Sequence, residues 1–192
     1  MKKLTGTTRL LAACWVLLAS SVVASPPDAT PPEKVGPQGF LLWESPRDVS
    51  EIRFEDGNGT PLTLTAFEGK VILLNIWATW CGPCREEMPT LDALHAELGG
   101  KDFEVVALSI DRKGIDVVNE FYQEVGIEHL APYVDQTGTA SANLGAVGIP
   151  TTLLLDRQGK ELGRLVGEAE WDTPEVVDFL AEMIETSKEE AP

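Results

Sequence analysis

Three stretches of the chain are apolar on both faces: residues 71–78 (Val-Ile-Leu-Leu-Asn-Ile-Trp-Ala), 104–110 (around Val-Val-Ala-Leu-Ser-Ile) and 151–155. Runs without polar alternation predict strands inside a sheet that is covered on both sides. Helical spacing of three and four lies between and after them, at Met88, Leu91, Leu94 and Leu98, then at Val118, Phe121, Tyr122 and Val125. Val177, Leu180, Ala181 and Ile184 repeat it behind Thr173 and Pro174, a helix-start signal. Residues 52–54 and 62–64, around Asp56-Gly57-Asn58-Gly59, predict an N-terminal β-hairpin. A turn at residues 156–160 leads into a last strand at 162–166. The order is strand, helix, strand, helix, strand pair, helix, which predicts an α/β layer sandwich.

The two ends have a different texture. Lys2, Lys3 and Arg9 precede fifteen uncharged residues, 10–24, which close on Val22-Val23-Ala24. This is the pattern of an export signal. Residues 1–24 read as a signal peptide cleaved after Ala24 or as a membrane anchor, although fifteen residues fall short of the ~20 that span a bilayer comfortably. Lipidation at Cys14 is a third reading, with few apolar residues upstream of it. Each of these exports the domain, to a periplasmic or other extracytoplasmic location, secreted or tethered to the inner membrane. Residues 25–39 hold Pro26, Pro27, Pro31, Pro32 and Pro37 and read as an extended linker. The folded domain is expected over 40–187, with a polar tail at 188–192.

Composition narrows the function classes. At 192 residues, 43% hydrophobic and 24% charged, the chain is one globular domain with appendages. Its 31 acidic against 15 basic residues give a net charge of −16, a surface that repels nucleic-acid backbones. Residues 1–24 contain no acid, so their removal leaves the remainder more acidic still. Of three cysteines, only Cys81 and Cys84 lie in the predicted domain.

Those two carry the chemistry. Trp80-Cys81-Gly82-Pro83-Cys84 joins the first buried strand to the first helix. Cys81 falls at the helix N-terminus and Cys84 one turn inside, near enough for a disulfide. The partial positive charge and unpaired N–H groups of a helix start stabilise a thiolate, the species that attacks a disulfide. Cys81 is therefore the expected nucleophile and Cys84 the resolving thiol. A zinc site would need four ligands, and only His95 and His129 could add to the pair. No metal and no cofactor are implied.

The segment from Asn75 to Pro89, Asn-Ile-Trp-Ala-Thr-Trp-Cys-Gly-Pro-Cys-Arg-Glu-Glu-Met-Pro, with Gly148-Ile149-Pro150-Thr151-Thr152, resembles the thioredoxin superfamily and, within it, the TlpA/ResA-like thiol–disulfide oxidoreductases. The resemblance covers roughly residues 50–184. It implies a thioredoxin-like fold, a central mixed β-sheet flanked by helices, with residues 110–143 as a helix–strand insertion. It also implies a cis peptide at Ile149-Pro150 facing the cysteines. Thioredoxins carry a buried Asp where this chain has Asn75, and an amide cannot accept a proton. Glu87 stands where ResA-like proteins place a Glu near the site. By resemblance it is a base or pKa tuner; otherwise it complements the helix dipole, as Glu86 does. Trp77 is either a site-flanking aromatic like Trp80 or a core residue, and Pro89 is expected to kink its helix.

The Cys-Gly-Pro-Cys sequence resembles reducing thioredoxins, so the expected activity is reduction of specific protein disulfides. The resemblance implies a membrane electron donor of CcdA or DsbD type. It implies clients such as apocytochrome c or copper-site assembly proteins. Two rivals share the fold: a thiol peroxidase, and a copper-binding assembly carrier using both thiolates and His129.

Overall fold

The computed structural model describes residues 34–189. A nine-stranded mixed sheet has the order β1-β2-β9-β8-β5-β6-β7-β3-β4. Its strands are β1 (Lys34–Val35), β2 (Leu41–Arg47), β3 (Phe54–Asp56), β4 (Pro61–Leu62), β5 (Val71–Trp77), β6 (Phe103–Ser109), β7 (Tyr133–Val134), β8 (Thr151–Leu155) and β9 (Glu161–Val166). The helices are α1 (Gly82–Leu98), α2 (Ile115–Val125), α3 (Thr139–Asn143) and α4 (Pro174–Glu189). β5 pairs in parallel with β6 and antiparallel with β8, which pairs antiparallel with β9.

The apolar runs become the sheet's centre for the expected reason. Every residue of β5 and β8 is buried. Alternation along β5 sends Val71, Leu73 and Trp77 into the core shared with α1, α2 and α4, while Ile72, Leu74 and Ile76 face the core closed by Phe54, Phe67 and Ala140. Trp77 is therefore a core residue, fully buried and packed on Phe121 and Tyr122 at ring separations of 5.2 and 5.9 Å. Asn75 shares its face, so a polar group on the central strand is aimed at α1. α1 continues through Pro89 to Leu98.

The expected hairpin is present as β3 and β4, and the insertion as α2, β7 and α3. Two boundaries move. Residues 34–39 are folded, not linker: β1 pairs with β2, and Gln38 and Glu170 exchange hydrogen bonds. Two side-chain bonds and a strand pair outweigh the extended bias of a Pro-rich stretch. The tail assigned from residue 188 begins inside α4, because Lys188 reaches Asp102 at 3.4 Å and Glu185 at 2.6 Å. β2 has no counterpart among the predicted strands; it is an edge-side strand whose pairing with β9 is irregular between Leu42 and Arg47, a setting that tolerates Pro46. Its close approach requires Gly163, where a Cβ would collide with the Leu41 carbonyl. No helix among the described residues is long and apolar enough to cross a membrane, and residues 1–24 lie outside them.

Candidate active site

The site is built where β5 ends. The chain turns through Ala78, Thr79 and Trp80, closing with the Cys81 N–H on the Ala78 carbonyl at 3.1 Å. Asp111, just past β6, holds this turn: it accepts from the Thr79 N–H (2.8 Å), the Thr79 hydroxyl (2.9 Å) and the Ser109 hydroxyl (2.8 Å). Arg85 braces it from the helix side, donating to the Thr79 carbonyl at 3.2 Å with its guanidinium 4.5 Å over Phe121.

Cys81 is the N-cap of α1, with extended backbone (φ −90°, ψ 112°), and its sulfur receives the Cys84 N–H at 3.3 Å. Gly82 and Pro83 start the helix, and Pro lacks an N–H that would be unpaired at that position anyway. The sulfurs are bonded, with Cα atoms 5.3 Å apart. The pair is asymmetric: Cys81 is 7% exposed and Cys84 is 0%. Trp80, at 68% exposure, stands in solvent beside them. The Ile149–Pro150 peptide is cis, and the Ile149 carbonyl oxygen lies 3.8 Å from the Cys81 sulfur. Residues separated by 68 positions thus share one surface with the reactive pair.

Glu87 lies three residues beyond Cys84 on α1, so on nearly the same face, and is only 2% exposed. It accepts from Asn75 Nδ2 (2.8 Å), Trp171 Nε1 (3.0 Å) and the Ala169 N–H (3.2 Å). Burial pushes its carboxyl up to about 7, against the opposing pull of the Trp171, Asn75 and Ala169 donors and with a small further push from Glu168. A surface glutamate that merely complements the dipole would show neither this burial nor this shift. Asn75 also donates to the Thr152 hydroxyl at 2.9 Å, while its own Oδ1 is buried without a partner.

The site residues singled out in the sequence therefore gather at the end of β5 and the start of α1, apart from the two histidines: His95 sits in the last turn of α1, where its Nδ1 accepts from the Val105 N–H, and His129 lies farther off. That histidine is exposed on a loop whose amides at 128, 129 and 130 are held by Asp92. Among the described residues no group of three His, Cys, Asp or Glu side chains converges to hold a metal. Trp171, Ala169 and Asp111 have no sequence signal of their own, and Thr152 is legible only as the end of the Gly148–Thr152 motif; each matters through a partner distant in the chain.

A helix-capping cysteine disulfide-bonded to a buried one, beside a cis-proline loop on a thioredoxin-like sheet, defines a thiol–disulfide oxidoreductase. The chain belongs to the Redoxin family, whose model matches residues 44–180, and to its ResA-type thiol–disulfide oxidoreductases. It is 32% identical over 143 residues to the thiol-disulfide oxidoreductase ResA of Bacillus cereus (strain ATCC 10987), covering 69% of this chain and 82% of the relative. The ResA of Bacillus thuringiensis subsp. konkukian is 34% identical over 135 residues, covering 68% and 77%. Among solved structures, a DsbF homologue from Corynebacterium diphtheriae is 26% identical with a TM-score of 0.61, covering 82% of this chain and 98% of its own.

Proposed function

We propose that this oxidoreductase works outside the cytoplasm as a reductant of specific protein disulfides, with Cys81 as nucleophile and Cys84 as resolving thiol. The observation that carries the assignment is the asymmetry of the pair: only Cys81 has solvent access, and the Cys84 N–H points at its sulfur. A thiolate at Cys81 attacks one sulfur of the client disulfide and displaces the other as a thiolate, which takes up a proton. Cys84, deprotonated, then attacks the Cys81 sulfur and releases the second client thiol. Two electrons pass to the client, and the enzyme is left as the disulfide. A dithiol donor must return them, and the family resemblance supports a membrane carrier of CcdA or DsbD type.

Glu87 is the proton acceptor for Cys84 in this scheme. Its position on the same face of α1 and its titration near neutrality support the role, because a group with a pKa near ambient pH can both take and return a proton. Trp80, Gly82, Pro83, Ile149 and Pro150 shape the surface on which the client lies; a proline beside it offers no competing N–H and leaves neighbouring backbone free to pair with an extended peptide. Residues 1–24 supply export, and apocytochrome c or copper-site assembly proteins are the client classes that the resemblance favours.

Two measurements test this. With Cys84→Ser, a disulfide peptide should remain covalently attached at Cys81, seen as a mass increase; the Cys81→Ser chain should capture none. Equilibration with glutathione should place the pair toward the thioredoxin end of the range, about −270 mV, not toward about −120 mV as in DsbA. A value near the latter would overturn the reducing direction.

A further inference from the structure

A groove of about 600 Å³ opens beside the cysteine pair, between the Thr79–Trp80 turn, the loop joining β6 to α2, and the start of α3. It shares Trp80 with the surface around Cys81, so a polypeptide held at Cys81 and running over Trp80 continues into it. Its floor is apolar at Ile110 and Val117. Its charge is opposite to that of the molecule. Arg112 and Lys113 line it, and neither has an acidic partner among the described residues. Arg53, Lys70, Arg85, Arg157, Lys160, Arg164 and Lys188 are each within ion-pair distance of a carboxylate; Lys34 and Lys101 share the lack of such a partner among the described residues, but only Arg112 and Lys113 are adjacent and line one groove. The one carboxylate on the lining, Asp111, is 3% exposed and bonded to Thr79 and Ser109, not paired with either cation; it offsets one of the two charges and leaves the lining net positive.

We propose that this groove is a client-binding subsite that selects an acidic, extended segment of polypeptide adjoining the disulfide under attack. The proposal rests on the disulfide-exchange assignment of Cys81 and Cys84 and adds a substrate preference to it. Elsewhere the surface repels acidic chains, so the adjacent pair of cations sets the orientation in which an acidic segment can approach. Client side chains near the attacked cysteine pack on Trp80, and carboxylates beyond them meet Arg112 and Lys113.

The test compares three disulfide peptides with identical bridged cysteines, flanked by acidic, serine or lysine residues, as substrates of the reduced full chain. The second-order rate constant for the acidic peptide in a single turnover should be about fivefold above that for the serine peptide, and that for the lysine peptide should fall below it. The acidic advantage should shrink severalfold in roughly 0.5 M salt, where screening is short-ranged. Arg112→Glu combined with Lys113→Glu should bring the acidic-to-serine ratio below one. Equal rates for the three peptides, or a preference for lysine, would overturn the subsite. Failure to reduce any peptide would instead overturn the exchange assignment, and the subsite with it. The peptide ratio and its salt dependence are read on the wild-type chain, so the test stands even where the double variant does not fold.

Discussion

Trp171 Nε1 donates to Glu87 Oε2 at 3.0 Å, joining residues 84 positions apart in the chain. The indole is 2% exposed, and the carboxyl it meets is equally buried. This bond stabilises the charged carboxylate, so it works against the burial that raises the carboxyl. In Trp171→Phe the aromatic ring stays and the donor goes. The Glu87 pKa should then rise above about 7, read from the carboxyl carbon in an NMR titration. An unchanged titration would show that the indole does not tune the group.

Stability should carry the same signature. An unfolded Glu titrates near 4.5 and the folded Glu87 at about 7, so the native chain binds the proton more tightly. The contribution is fully present below pH 4.5 and is lost as pH rises through about 7. The interval corresponds to roughly 3 kcal/mol. Urea denaturation of the disulfide form at pH 5 and pH 8 should show this loss in the wild type and not in Glu87→Gln. When the Asn75 side chain turns over, its Oδ1 accepts from the new amide and its Nδ2 takes the buried position without a partner, a pH-independent cost that leaves the comparison between pH 5 and pH 8 intact.

Asp111 organises the turn before the cysteines through three accepted hydrogen bonds. Asp111→Ala leaves those donors unpaired in a largely buried setting and should cost about 2–4 kcal/mol. Disulfide reduction by the same chain should slow as well, because Thr79 no longer fixes the approach to Trp80 and Cys81. Full stability in a denaturation experiment would contradict the assignment.

The loop at 126–130 offers a control remote from the sulfurs. Asp92 caps its amides at 128, 129 and 130 from α1. Asp92→Ala should expose these amides to rapid hydrogen exchange and cost about 2–3 kcal/mol. The glutathione equilibrium of the cysteine pair should stay as in the wild type.

How much of this is legible in the sequence depends on whether a feature is local. β5, the Trp80–Cys84 sequence and α1 are consecutive, so apolar run, spacing and helix start point the same way. α2, β8 and α4 likewise follow from the period of their own apolar residues. Glu87 is ambiguous in sequence because its surroundings decide its role: Asn75, Ala169 and Trp171 reach it from a strand and a loop that no spacing connects to α1. β2 is illegible for a related reason. Leu41-Leu42-Trp43-Glu44-Ser45-Pro46-Arg47 has no clean alternation, and it becomes a strand only because β9 offers it an edge. Asp111 sits in a short polar loop like any other until the fold brings Thr79 to it.

Gln38 matters through its neighbour. It is tied at both ends of its amide to Glu170, between the two residues, Ala169 and Trp171, that supply donors to Glu87. A fastening of the segment ahead of β2 is thus also part of the wall around the proton-holding carboxyl. A version trimmed to begin at residue 40 would keep both sulfurs and every strand from β2 onward, yet would unlatch that wall. Water entering there would return Glu87 toward an ordinary acid, and an enzyme shortened for convenience would trade protons at a different pH from the intact one.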